Sequence, residues 1–136
     1  FGFEYNEDGE PIHFPHIGGI NIGDGVFIGS NTTIERATID ETNIGNNVKI
    51  DDHVQIGHNC TIGDNTIVTA GVITCGGSKI GRNCWVAPNA TIKEKLTIGD
   101  ESYIGLGSVV IRDVETGSTV AGVPARVLKS RQGIKE

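Results

Sequence analysis

Ile44-Gly45-Asn46-Asn47-Val48-Lys49-Ile50-Asp51-Asp52-His53-Val54-Gln55-Ile56-Gly57-His58-Asn59-Cys60-Thr61-Ile62-Gly63-Asp64 repeats a pattern every six residues. An aliphatic residue recurs at Ile44, Ile50, Ile56 and Ile62, and the series continues through Val68, Thr74, Ile80, Val86, Ile92, Ile98, Ile104 and Val110. Upstream, Ile22, Ile28 and Ile34 keep the same spacing. A period of six fits neither the 3.6 of a helix nor the 2 of a flat strand. It is the signature of a coiled parallel β-structure.

Glycine follows most of these aliphatic residues (Gly23, Gly29, Gly45, Gly57, Gly63, Gly81, Gly99, Gly105), and Asn or Asp often comes next. Such residues reach positive φ cheaply or bond nearby backbone, so a corner is expected after each aliphatic. Two positions before each aliphatic stand Val48, Val54, Cys60, Thr66, Val72, Ser78, Cys84 and Ala90. Side chains alternate along a strand, so these share the inward side. Three hexads close a triangular prism of 18-residue coils, an all-β fold with about five coils over residues 22–115. The ten residues from Ile34 to Ile44 fit a four-residue insertion around Glu35 to Asp40. The whole chain, 1–136, reads as one domain, with residues 1–21 as an N-terminal cap and 116–136 as a C-terminal tail over the open ends. Ala, Arg, Leu and Lys within Pro124 to Gln132 suggest one short C-terminal helix.

The 136 residues carry a formal net charge of −6, which gives no footprint for nucleic acid. The one cationic cluster is Arg126, Lys129, Arg131 and Lys135. No apolar run reaches membrane-spanning length, and the first residues carry no signal-peptide pattern. Methionine is absent even from position 1, so the chain reads as a trimmed one, with room for an N-terminal domain before it. Cys60 and Cys84 hold inward small-residue positions and Cys75 sits alone at a corner, which suits structural thiols in a reducing, cytoplasmic compartment.

The coil register also sorts the outside. One outward column reads Lys49, Ile67, Trp85, Tyr103; the next reads Gln55, Ile73, Thr91, Val109; the third, Asn43, Thr61, Lys79, Thr97, is polar. Ile67, Trp85 and Tyr103 in one column suggest an oligomer interface, or else a groove for an acyl chain. His13 and His16 precede the coils, with nothing around them in sequence to suggest chemistry. His53 and His58 stand at successive corners, one side of the triangle apart. One coil after His58 comes Gly76, whose backbone N–H would lie about one strand spacing, ~4.8 Å, away. A general base beside an exposed backbone donor is the minimum equipment for acyl transfer.

These stretches resemble the left-handed β-helix acyltransferases, and among them the UDP-3-O-acylglucosamine N-acyltransferases of lipid A biosynthesis. The resemblance rests on Phe1-Gly2-Phe3 with Asp8-Gly9-Glu10, Ile22-Gly23-Asp24, Asn31-Thr32-Thr33-Ile34-Glu35-Arg36, and Lys49-Ile50-Asp51 through Gln55-Ile56-Gly57-His58-Asn59. It covers nearly the whole chain and implies a left-handed coil, against the usual right-handed crossover. It also implies that His58 is the general base for the acceptor amine and that the Gly76 N–H meets the thioester oxyanion. The implied assembly is a homotrimer with active sites in clefts between subunits. The implied partners are a sugar substrate and a thioester co-substrate, acyl-CoA or acyl carrier protein, with no permanently bound cofactor.

Two positions depart from the pattern. Lys95 stands where the family has a second histidine. Ala121-Gly122-Val123-Pro124-Ala125-Arg126 looks like the ending of acetyl-CoA-dependent hexapeptide acetyltransferases. Both point to a short-chain acyl-CoA donor and a nucleotide-linked amino sugar, with Arg126 and Lys129 as candidates for the coenzyme phosphates; the alternative for these two is a solvated basic tail. A second enzyme class competes: His53 and His58 also resemble the zinc-binding pair of γ-class carbonic anhydrases, where a third ligand would fall at Ile17, next to His16. A non-catalytic β-helix scaffold is the third reading.

Overall fold

The computed structural model describes residues 1–130 and the backbone of the strand Gly133–Ile134. Arg131, Gln132 and Lys135, which the sequence reading placed in the basic cluster or the short helix, lie outside the described residues.

Each hexad forms a two-residue strand, such as Lys49–Ile50, Gln55–Ile56 and Thr61–Ile62, and turns a corner before the next. The strands stack into three parallel ladders, one per face of the prism. Register is set by the 18-residue coil: Lys49 pairs with Ile67, Ile67 with Trp85, and Trp85 with Tyr103. On the other faces Gln55, Ile73, Thr91 and Val109 are in line, as are Asn43, Thr61, Lys79 and Thr97. All three outward columns therefore stack as the period predicts. The inward aliphatic residues fill the axis, with Ile50, Ile56, Ile62, Ile80, Ile92 and Ile104 sealed from solvent beside Val48, Val54 and Val72. Thr74, the one polar member of the series, is buried too, its hydroxyl against the Cys60 thiol, which also meets Ser78.

The corners work differently from the sequence expectation. The left-handed residue is the third after each aliphatic, not the glycine directly after it: Asn47, His53, Asn59, Asn65, Asn83, Asn89, Lys95 and Glu101 all have φ between 54 and 59 or, for Asn89, 61°. The glycines answer to close approach between coils. A Cβ on Gly45 would lie 3.0 Å from the Ile62 carbonyl oxygen, and one on Gly63 would lie 2.6 Å from the Gly81 carbonyl carbon. Asn and Asp at the second position bond across coils. Asn46 Oδ1 accepts from the Asp24 N–H at 2.8 Å, Asp64 Oδ1 from Asn46 at 2.8 Å, and Asp100 Oδ1 from Arg82 at 2.8 Å.

The expected insertion lies between the strands Thr33–Ile34 and Glu41–Ile44. Ala37 is buried against Gly18 while Ile39 is exposed, and the chain returns to register at Glu41–Ile44. Before the coils, Phe3–Tyr5 and Pro11–His13 form an antiparallel hairpin. This hairpin does not cover the first rung, where Ile22 and Ile28 remain exposed; it lies instead at the edge that carries His58.

The short helix expected over Pro124 to Gln132 is not formed; Ala125–Ser130 is a strand, antiparallel to Thr119–Gly122. Thr119–Gly122 extends the ladder above Tyr103. A hairpin folded back along it gives the open sheet edge a partner, and that gain outweighs the helical preference of Ala, Leu, Arg and Lys.

Candidate active site

His58 is half-buried at the corner after Gln55–Ile56, and the next coil places Gly76 directly against it. A Cβ on Gly76 would lie 2.6 Å from His58 Cε1 and 2.9 Å from Cδ2, closer still to Nε2. The imidazole thus occupies the space where any side chain at residue 76 would go. One coil further on stands Glu94, then Arg112, so His58, Gly76, Glu94 and Arg112 follow one edge of the prism in the 18-residue register.

The edge through Asp24, Asn46, Asp64 and Arg82 is closed by cross-coil Asn or Asp acceptors, and one such bond, Ser30 to Asp52, stands on the next edge, whereas Gly76 on the His58 edge meets none among the described residues. Asp24, Ser30, Asn46 and Arg82 each give their N–H to an Asn or Asp one coil on. The residue one coil beyond Gly76 is Glu94, and among the described residues no acceptor takes the Gly76 N–H. The peptide flanks are held: the Gly77 N–H donates to the His58 carbonyl at 2.8 Å, and the Lys95 N–H to the Gly76 carbonyl at 3.1 Å. A fixed donor without a partner therefore sits beside the imidazole.

A second imidazole belongs to this site. His16, which the sequence reading left without chemistry, meets the His58 ring edge-on, with centroids 5.0 Å apart and planes at 65°. It was missed because the distance from residue 16 to residue 58 along the chain spans the irregular first coil, where the hexad register gives no alignment. His16 Nε2 lies 3.4 Å from Thr38 Oγ1, and its Nδ1 is shut off from solvent without a well-formed hydrogen bond. Burial first, and the facing His58 second, hold its pKa below the usual 6.5; Glu35 and then the Arg36 backbone pull the other way and lose. His16 is thus held neutral. Phe1, Phe3 and Phe14 join His16, Thr38 and His58 around a cavity of about 230 Å³ under the N-terminal hairpin.

His53 stands exposed at the preceding corner, with φ 56°. Among the described residues no group of three or more His, Cys, Asp or Glu is arranged to hold a metal ion. The thiols of Cys75 and Cys84 are pushed up, first by burial, which makes them poor nucleophiles at neutral pH. Arg126 lines a smaller cavity of about 140 Å³ with Arg112 and Asp113, where the C-terminal hairpin meets the last coils. Lys129 is exposed on the strand Ala125–Ser130. Trp85 and Tyr103 are 41% and 44% exposed, and Phe27, paired in register with Lys49, extends their apolar column.

The bacterial transferase hexapeptide (six repeats) family matches residues 41–76 and 77–112, more than half of the chain. The chain belongs to that family. It is 40% identical over 122 residues to a UDP-3-O-acylglucosamine N-acyltransferase of Herminiimonas arsenicoxydans, a match covering 90% of this chain and 35% of the relative. The chain thus spans about a third of the length of the curated relatives it matches. Among solved structures, the Arabidopsis UDP-N-acetylglucosamine acyltransferase superposes with a TM-score of 0.80 at 30% identity, over 85% of this chain and 40% of that one. A UDP-N-acetylglucosamine acyltransferase from Francisella novicida gives 0.80 at 27% identity, over 83% and 43%. The fold of this hexapeptide protein is accordingly the left-handed parallel β-helix; the hexad period predicted the triangular coils, and the family resemblance implied their hand.

Proposed function

We propose that this hexapeptide chain carries the acyl-transfer centre of an acyltransferase, moving an acyl group from a thioester to the amine of a nucleotide-linked amino sugar. The observation that carries the reading is the His58 ring packed against Gly76, whose N–H has no acceptor among the described residues. The names of its relatives support an N-acyl transfer to a UDP-linked glucosamine.

The chemistry balances with these two groups. His58 Nε2, the ring nitrogen nearest Gly76, takes a proton from the acceptor amine as the nitrogen attacks the thioester carbonyl carbon. The carbonyl oxygen becomes an oxyanion and accepts from the Gly76 N–H, a kind of contact worth about 3 kcal/mol. Collapse breaks the C–S bond, and the imidazolium returns its proton to the departing thiolate. The amide and a free thiol result.

The donor lies along the His58 edge toward Arg112 and Arg126, whose guanidinium groups suit phosphate oxygens. The Lys95 backbone, one coil past Gly77, supports the peptide behind the oxyanion donor. The apolar column of Phe27, Ile67, Trp85 and Tyr103 closes against a neighbouring subunit in a homotrimer.

A thiol-release assay tests the reading. Acetyl-CoA, a longer acyl-CoA and a 3-hydroxyacyl-CoA are each offered with a panel of UDP-linked amino sugars. Acceptor-dependent thiol release with at least one pair is expected. No release with any pair from the trimeric protein would overturn the assignment.

A further inference from the structure

The hydrogen bonds around Asn59 determine which nitrogen of His58 carries the proton. Asn59 Nδ2 donates to the Ile39 carbonyl at 3.1 Å, so Oδ1 faces the other way. That oxygen accepts from the Thr38 N–H at 3.0 Å and lies 2.9 Å from His58 Nδ1. Turning the amide over would set its NH2 against the Thr38 N–H and its oxygen against the Ile39 carbonyl. Neither pair can bond. With Oδ1 committed as an acceptor, His58 Nδ1 must carry the hydrogen, and Nε2 keeps its lone pair. Nε2 is the nitrogen that lies against Gly76.

Thr38 and Ile39 both belong to the insertion between Ile34 and Glu41, the one break in the hexad register. The insertion is itself tied down: the Ile17, Gly18 and Gly19 amides donate to the carbonyls of Thr38, Ala37 and Asp40 at 3.0, 2.9 and 2.9 Å, and Arg36 Nε donates to the Gly18 carbonyl at 2.9 Å. A regular hexad would offer Asn59 neither the Thr38 N–H nor the Ile39 carbonyl. We infer that Asn59 is a positioning residue, and that the insertion exists at this corner to orient its amide and hold His58 as the Nδ1–H tautomer with a bare Nε2.

The choice of an amide is itself informative. A carboxylate would also accept from Nδ1–H, but it would add charge that favours the imidazolium and would face the Ile39 carbonyl with no hydrogen to give. An amide selects the tautomer without changing the charge beside the base. The use made of the bare nitrogen rests on the acyl-transfer reading; the tautomer does not.

Asn59 has φ 59°, where most residues are strained, so alanine would confuse lost bonding with backbone cost. Glycine avoids this, and Gly77 already stands one coil on at φ 73°. The experiment is imidazole ¹⁵N NMR on the whole chain, above the imidazole titration range, with the His58 signals identified by their loss in His58→Gln. The parent is expected to show hydrogen on Nδ1 and none on Nε2. Asn59→Gly should shift the ring toward the Nε2–H form, and Asn59→Asp should restore Nδ1–H. In acyl transfer, Asn59→Gly should lower kcat roughly ten- to hundredfold with little change in KM, part of what a general base contributes. Asn59→Asp should recover rate but move the acidic limb of the profile to higher pH. An Nε2–H form in the parent, or an unchanged tautomer in Asn59→Gly, overturns the inference. A parent with the Nδ1–H form but no acyl transfer would support the lock while removing the acyl-transfer reading.

Discussion

The His58 imidazole fills the side-chain space of Gly76, one coil away. The two residues are therefore constrained together. The imidazole can take its place only because residue 76 has no side chain. From the sequence, only a bulky residue at position 76 would be expected to interfere, by blocking the donor. The contact is stricter than that, since even a methyl group would lie 2.6 Å from Cε1. Gly76→Ala should displace the ring and lower kcat by about two orders of magnitude, within the range of losing a general base. Its thermal unfolding should change little, because Gly76 does not have a left-handed φ and its own N–H meets no acceptor among the described residues. A Gly76→Ala protein with normal kcat would show that the ring has room to move.

Removal of the imidazole proposed as the base gives a cleaner contrast. His58→Ala should lower kcat by roughly two to four orders of magnitude. His53→Ala should be nearly silent in acyl transfer, because the residue is exposed at another corner. Under the competing zinc reading the same variant would be destructive. Steady-state kinetics on the two variants, with metal analysis of protein purified without added zinc, separates these alternatives.

Neutral His16 gives a pH dependence of stability. Its pKa is held below 6.5 in the folded chain by burial and by His58, and rises to the ordinary value on unfolding. Between those two values the unfolded state binds more protons, so stability falls as pH drops below about 6.5, until the folded-state pKa is passed. Above that window His16 contributes no slope. His16→Gln should flatten the decline in unfolding temperature as pH falls below about 6.5, read by circular dichroism across a pH series. An unchanged slope would mean that other groups carry the acid sensitivity.

How far the sequence reached follows from where its period holds. From Ile44 to Val110 every hexad but the one at Thr74 supplies an inward aliphatic, so strand, register, core and outward column could all be read from spacing, and the structure agrees. The proximity of Gly76 to His58 was legible for the same reason. Asn59 was visible as a neighbour but not as a partner, because Thr38 and Ile39 reach it from the insertion, where the period is broken. His16 was illegible on the same ground. The C-terminal strand was misread because local propensity says nothing about an unpaired edge on a distant coil; the pairing of Thr119–Gly122 with Ala125–Ser130 depends on where the last coil leaves that edge.

The donor contacts can now be tested without deleting the tail. Arg126 and Lys129 lie on the strand Ala125–Ser130, which packs along Thr119–Gly122, so truncation from residue 126 would also strip cover from buried Val120. Single-charge variants avoid this. Arg126→Ala and Arg112→Ala should each raise KM for acetyl-CoA several-fold and flatten its salt dependence, with KM for the amino sugar unchanged. Lys129→Ala, at an exposed position farther along the strand, should have the smaller effect. Unaltered donor kinetics in both arginine variants would favour a carrier-protein donor or a different route for the coenzyme.

Assembly provides the last test. Phe27, Ile67, Trp85 and Tyr103 fall on one outward face in register, and three of them are aromatic. Phe27 is 60% exposed, Trp85 41% and Tyr103 44% in the single chain. An aligned aromatic strip is costly to leave in water, and a threefold assembly would bury each copy's strip against the next. Aromatic residues are also enriched at interface centres. Trp85→Glu puts a carboxylate at the middle of that strip without touching the core, since the side chain points outward while Val86 points in. Sedimentation should show the parent as a trimer and the variant shifted toward monomer, with far-ultraviolet circular dichroism unchanged. The His58 edge should lose activity in parallel if a neighbouring subunit completes the cleft. A Trp85→Glu protein that sediments like the parent trimer would assign the strip another role, with an acyl-chain groove next to be tested by varying donor chain length.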